Sequence, residues 1–413
     1  MATVIRTATE LQNMSADLSA DYELGGNVDA SETAAWNAGA GFAPIGDSVT
    51  PFTGNFDGKG YTITGLTINR PATEDIGLFG YAGSPGGGPT IVYIKNVVLA
   101  SVSIVGQDET GALVGEARDY VYIQGCSSSG TVSGRNSVGG LIGDLGSSSS
   151  RIESGCSSSC EVTASGLDAG GLFGGCEGSL TDSYATGAVH GYQYAGGLGS
   201  IYVSGSATRC FATGDIDVTD DYAGGLFGYA GESALTDCYA RGSVTAAGVG
   251  ASAGGVVGDV YDAIFTRCYA TGAVSGASTG GFGGYKAADA STFEGCLWDT
   301  ETTGEANSFG AGGSPSGLTG YTTTEMQSAS VVQAKGYLLG RDWNVIGACN
   351  AGYPCLIGVN PCCSIRGVPA DVTIARTKPS LELIRNLEMQ CDGLFYIAKD
   401  GKATYESRFA RHG

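Results

Sequence analysis

The chain has 413 residues, with 71 glycines, only 10 prolines and a net charge of −20. That charge argues against a broad basic face for nucleic acid or for an anionic membrane, because phosphate affinity rests on Lys and Arg. A hydrophobic fraction of 42% argues against disorder, and no apolar run approaches the roughly 18 to 20 residues that span a bilayer.

At the N-terminus, Thr7 and Glu10 have the spacing of a capping box, and Leu11, Met14 and Leu18 follow at helical intervals. A short amphipathic helix is expected there, serving as a lid on the open end of a stack of strands. The first residues show no charged leader followed by an apolar stretch, which suggests assembly in the cytoplasm unless a leader has been removed. Residues 22–70 then alternate in short runs broken by Gly, Asn and Asp, with a turn at Asp57-Gly58-Lys59-Gly60 and a strand over 62–68.

From about Ile76 to Trp298 one phrase recurs, a Gly-Gly-Leu-x-Gly turn followed about a dozen residues later by Cys-Tyr-Ala-Thr-Gly-x-Val. The second half begins at Cys126, Cys156, Ser183, Cys210, Cys238, Cys268 and Cys296, in steps of 30, 27, 27, 28, 30 and 28 residues. A repeat of that length is one supersecondary unit that cannot bury its apolar face alone, so the units must stack. The expected fold is all-β, a right-handed parallel β-solenoid with an N-terminal capping helix and a small α+β C-terminal segment.

Stacking predicts columns. The Cys position (Cys126, Cys156, Cys210, Cys238, Cys268, Cys296) and the Val position six residues on (Val132, Val162, Val189, Ile216, Val244, Val274) share one parity and are assigned inward. Tyr184, Phe211, Tyr239 and Tyr269 form an aromatic ladder on the opposite face. Immediately before the Cys position, Asp182, Arg209, Asp237 and Arg267 alternate in sign, as in-register stacking requires. Thiols repeating about 4.8 Å apart and pointing the same way suit a disulfide poorly, so the six cysteines are read as free and buried. Cys349 and Cys355 flank a turn and are the disulfide candidates, with Cys362-Cys363 close behind.

Between Trp298 and Pro361 the period is lost, which marks a closing coil and cap. After Arg366 the chain becomes richer in Lys and Arg. A capped helix is expected after Lys378-Pro379-Ser380, and a hairpin about Asp400-Gly401. The domain boundaries are therefore set at 1–70 (cap helix and first strands), 71–300 (solenoid), 301–365 (closing coil and cap) and 366–413 (docking segment).

The runs Phe42-Ala43-Pro44-Ile45-Gly46, Phe52-Thr53-Gly54-Asn55-Phe56-Asp57-Gly58 and Gly77-Leu78-Phe79-Gly80, with the Cys-Tyr-Ala-Thr-Gly repeats, resemble proteins carrying the GLUG motif. These are Gly-Leu-hydrophobic-Gly repeats of adhesin-like bacterial and archaeal surface proteins. The resemblance covers about the first 360 residues and implies a right-handed β-solenoid used for attachment, with no catalytic residues to carry over. The C-terminal helix and hairpin resemble a short segment of siphophage tail-hub and minor tail proteins.

Candidate sites are few. The aromatic ladder Tyr184, Phe211, Tyr239 and Tyr269, flanked by Asp and Arg, could stack sugar rings or simply cover the sheet. Asp215, Asp217, Asp220 and Asp221 offer oxygen ligands for calcium but lack a full calcium-loop spacing. His190 and His412 have no convincing nucleophile nearby, and Asp182 and Asp237, two coils apart with Arg209 between them, make a poor glycosidase pair. No cofactor is expected beyond calcium.

The expected function is non-enzymatic attachment by a virion tail component binding a host-surface glycan or protein. Residues 366–413 would join it to other tail or surface proteins, and a homo-oligomer is allowed. The alternatives are an extracellular or cell-surface adhesin and a polysaccharide-degrading solenoid of tailspike type.

Overall fold

A computed structural model describes residues 2–83, 91–153, 155–345 and 350–360, and the backbone of 393–397 and 403–407. The chain divides into two compact units, 1–323 and 324–413.

The first unit is a parallel β-solenoid, and one coil illustrates it. Ala234–Thr236 lies in an 11-stranded sheet, Tyr239–Ala240 and Val244–Ala246 in a second sheet, Ser252–Gly254 in a 7-stranded sheet and Val257–Tyr261 in a 9-stranded sheet. These are sheets A, B, C and D in the order the chain visits them. Each strand pairs in parallel with its counterparts in neighbouring coils. The stack begins at Thr3–Ile5, which pairs with Tyr22–Leu24, so the segment before residue 71 already belongs to it. It closes with Phe309–Ala311 and Leu318–Tyr321.

The predicted register holds. Ser127, Ser157, Tyr184, Phe211, Tyr239, Tyr269 and Leu297 pair in succession. So do Val132, Val162, Val189, Ile216, Val244 and Val274. The Cys and Val columns face the core, as does the Leu of each Gly-Gly-Leu-x-Gly, for example Leu172, Leu198 and Leu226 at 0% exposed. Burying one such side chain contributes about 1.5 to 3 kcal/mol, and the columns repeat that gain in every coil.

Glycine permits the close stacking. A Cβ on Gly187, Gly214, Gly242 or Gly272 would lie 1.7 to 1.8 Å from a backbone oxygen of the preceding coil. At the corner between sheets A and B the chain turns through a left-handed residue just before the Cys position. Gly125, Gly155 and Gly295 occupy it in three coils, and Asp182, Arg209, Asp237 and Arg267 in four others with φ between 48° and 58°.

Helix Ala8–Gln12 caps the start. Thr7 accepts from the Glu10 backbone N–H at 3.1 Å, while the Glu10 carboxylate accepts from Arg6 N, one residue earlier than a capping box requires. Leu11 and Met14 are fully buried in the core cluster.

The second unit contains helix Ala329–Ala334 and the antiparallel pair Trp343–Asn344 with Cys355–Leu356. The strands Gly393–Ile397 and Ala403–Ser407 form the expected hairpin. The helix expected after Ser380 lies outside the described residues.

Candidate functional site: a tyrosine and carboxylate furrow

The sequence-derived candidates separate into columns that the fold uses internally. Tyr184, Phe211, Tyr239 and Tyr269 stack with centroids 4.8, 4.9 and 5.0 Å apart and planes within 4°. Phe211, Tyr239 and Tyr269 are 2%, 0% and 0% exposed, so in this structure only Tyr184, half-buried at the column's end, is within a sugar's reach. Two coil-to-coil ion pairs order the charged column. Arg209 Nε donates to Asp182 Oδ1 at 2.6 Å, and Arg267 grips Asp237 through Nε and Nη2 at 2.6 and 2.7 Å. Both carboxylates that would have served a glycosidase are therefore engaged by arginine.

The six column thiols, with Cys160 and Cys176, are buried and free. Each column Sγ donates to carbonyl oxygens around it, as Cys210 does to Thr208 O at 3.3 Å and Leu180 O at 3.8 Å. Ser183 makes the equivalent bond to Thr181 O at 2.8 Å. Burial pushes the Cys126, Cys210 and Cys268 thiols well up and Cys176 to about 12, which suits inert fillers rather than nucleophiles. Cys355 is disulfide-bonded, whereas Cys349 lies outside the described residues.

The four calcium candidates do not converge. Asp215 accepts from the Ser243 backbone and hydroxyl at 2.9 and 2.7 Å, and Asp217 lies 3.4 Å from His190 Nδ1. No group of three or more His, Cys, Asp or Glu able to hold a metal occurs among the described residues. His190 sits exposed between Asp217 and Glu161, and His412 lies outside the described residues. A depression of about 370 Å³ on sheet A is lined by Arg151, Glu153, Thr181 and Asp182, of which Asp182 is paired with Arg209.

The feature that sequence reasoning missed is a furrow where sheets C and D meet. The last Gly of Gly-Gly-Leu-x-Gly is tucked against the sheet C backbone of the preceding coil. A Cβ on Gly143 would lie 2.4 Å from Glu109 C, and one on Gly284 would lie 2.9 Å from Ser252 C. The two sheets therefore fold toward each other on their outer side. The sheet C wall presents Asp75, Glu109, Ser137, Asp168, Tyr194, Tyr222, Ser252 and Ser278, one per coil. Facing it on sheet D are Tyr81, Glu116, Asp144, Gly175, Ile201, Tyr229, Asp259 and Tyr285.

One end of the furrow is acidic. Burial, and then the Glu116 carboxylate, push Asp75 up to about 7; the same two causes in the same order raise Glu109 to about 7 and Asp144 to about 6. Arg118 pairs with Glu116 and approaches Asp144 at 3.8 Å. Asp168, 8% exposed, accepts from Ser200 Oγ at 2.9 Å, and that serine replaces the motif's final glycine. The other end is aromatic, with Tyr194 and Tyr222 stacked at 5.4 Å and 16°. The sequence signal was the flanking pair in Tyr222-Ala-Gly-Gly-Leu-Phe-Gly-Tyr229, which places a side chain on each wall.

Comparison with known proteins gives local likenesses. No family model matches the chain, and the resemblance to GLUG repeats rests on the motif alone. Halomucin of Haloquadratum walsbyi is 38% identical over 132 residues, which is 30% of this chain and 1% of halomucin. A candidate Gly-rich membrane protein of Evansella cellulosilytica is 40% identical over 84 residues, 20% of this chain and 10% of that protein. The crystal structure of a candidate immunoglobulin A1 protease from Bacteroides ovatus aligns with a TM-score of 0.49 at 17% identity, covering 86% of this chain and 92% of that one. No helix among the described residues is long and apolar enough to cross a membrane.

Proposed function

We propose that the protein is an extracellular, cell-surface-associated solenoid that attaches to glycan without chemically changing it. The observation that carries this reading is the furrow, a recess open along a rigid stack and lined in register by phenol and carboxylate groups. A repeating polymer meets such a recess at repeated steps, and tyrosine with carboxylate supplies the ring contact and hydroxyl acceptors that sugars use.

Two further observations support the location. Cys355 is disulfide-bonded, which fits an oxidising compartment. The matched segments of halomucin and of the Evansella Gly-rich membrane protein extend this repeat into proteins whose names speak of mucin and membrane. The virion tail reading, in contrast, rested in part on residues 366–413, of which only two strands are described.

Beads coated with the full chain should adhere to polysaccharide-coated glass and detach when the same polysaccharide is added in solution. Failure to adhere to any neutral, amino-bearing or acidic polysaccharide contradicts the reading.

A further inference from the structure

The aromatic half of the furrow contains a notch. Tyr194 and Tyr222 stack on each other, but the next two positions on that wall are Ser252 and Ser278, too small to cover the second face of Tyr222. On the opposite wall the sequence runs Tyr229, Asp259, Tyr285. Asp259 thus lies between two tyrosines on its own wall and across from Ser252, a small side chain recessed at 5% exposed. Its carboxylate acts on Tyr194, Tyr222 and Tyr229, so all four groups share one neighbourhood.

We infer that this notch binds a sugar unit bearing a protonated amino group, its ring against Tyr222 and its ammonium on the Asp259 carboxylate. The inference rests on the glycan-attachment reading and names the ligand class for that site. Charge complementarity selects the class. Among the described residues no Lys, Arg or His forms an ion pair with Asp259, and the charge acting on it is another carboxylate, Asp289. Further along the furrow Arg118 pairs with Glu116 and approaches Asp144, and Arg135, held by Asp108, also acts on Glu109. A uronate or sulfated chain would add like charge to a half-buried carboxylate, whereas an ammonium supplies the missing cation. Burial raises Asp259 to about 6, which leaves it mostly ionised at neutral pH. The neighbouring cation, Lys286, is held by Asp289 at 2.8 Å with its side chain 10% exposed, so it does not neutralise the notch.

The test is calorimetric titration of the full chain, at physiological salt, with oligomers of glucosamine, of N-acetylglucosamine and of galacturonate. Glucosamine oligomers should bind about tenfold more tightly than the N-acetylated ones, with the galacturonate oligomer weakest. Asp259→Asn should remove that preference, and Tyr222→Ala should weaken binding about tenfold while Tyr222→Phe stays within about threefold. Glu161→Gln removes one charge from an exposed site elsewhere and should leave binding unchanged. Equal losses in Glu161→Gln and Asp259→Asn would mean diffuse attraction to an acidic protein and would overturn the site. Preference for the acetylated or acidic oligomer would overturn the ligand class while leaving glycan attachment standing. Absence of binding to all three would overturn the inference, and adhesion of the coated beads then decides whether attachment itself survives. A single cooperative melt in each variant confirms that the fold is intact.

Discussion

Arg267 closes a two-point grip on Asp237 from the next coil, and both residues hold left-handed backbone, with φ of 51° and 55°. The Asp237 side chain is 7% exposed, so removing the guanidinium takes two charge-assisted hydrogen bonds from a buried carboxylate. Arg267→Ala should cost about 2 to 4 kcal/mol, whereas Arg209→Ala, whose partner Asp182 is 32% exposed, should cost about 1 kcal/mol. Glycine occupies the same corner at Gly125, Gly155 and Gly295. An Asp237→Gly, Arg267→Gly double variant should therefore be more stable than Arg267→Ala, because it removes the buried carboxylate together with its arginine and relaxes both left-handed residues. Urea unfolding of the three variants checks the order.

Coil spacing depends on Gly242, whose added Cβ would lie 1.7 Å from Gly214 O. Gly242→Ala should destabilise the solenoid by about 3 kcal/mol or more, since backbone of two coils must separate. At Gly26 a Cβ meets nothing within 4 Å, so Gly26→Ala should stay within about 0.5 kcal/mol. Thermal melting of both distinguishes close stacking from a general dislike of lost glycine.

The thiol columns make a chemical prediction. Cys126, Cys156, Cys160, Cys176, Cys210, Cys238, Cys268 and Cys296 are buried, so an alkylating reagent should leave all eight unmodified in the native protein at pH 8 and modify all eight in denaturant. Peptide mapping by mass reads this directly. Cys210→Ser should cost no more than about 1 kcal/mol, because Ser183 already makes the corresponding bond in the coil before.

Furrow carboxylates set the pH dependence. Asp75 and Glu109 are raised to about 7, and Asp144 and Asp259 to about 6, so the folded chain holds more protons than the unfolded one between about pH 4 and pH 7. Stability contributed by these groups is present below their unfolded values and is lost as pH rises through the folded ones. The fold should thus be more stable at pH 5 than at pH 8 by about 2 kcal/mol in total, once solvent screening of these half-exposed groups is allowed for, and should melt at a correspondingly higher temperature. Asp75→Asn should flatten that slope, and an unchanged slope in the variant would place the effect elsewhere.

Much of the fold was legible because a solenoid writes its register into the sequence. The pairing of Tyr184 with Phe211 and of Val189 with Ile216 follows from counting residues from each Cys. The ladder Phe211, Tyr239 and Tyr269 was legible as a ladder, but its burial was not, because period-two parity gives a residue's face and not what lies over it. The left-handed corner was hidden in four coils by Asp and Arg, whose alternating signs read as a charge ladder rather than a turn, although Gly125 and Gly155 at the same column, and the tolerance of Asp for left-handed backbone, were the available signal. The furrow escaped because it belongs to the corner between sheets C and D. Strand alternation says nothing about the angle at which Tyr222 and Tyr229 face each other across a glycine turn.

The measurement that bears most directly on the attachment reading is a glycan-array screen of the full chain, followed by product analysis of every retained polysaccharide. The account predicts retention of glycans, amino-bearing ones foremost, with chain length unchanged after prolonged incubation. Retention of nothing would contradict glycan attachment, and shortened products would show that the furrow carboxylates perform chemistry.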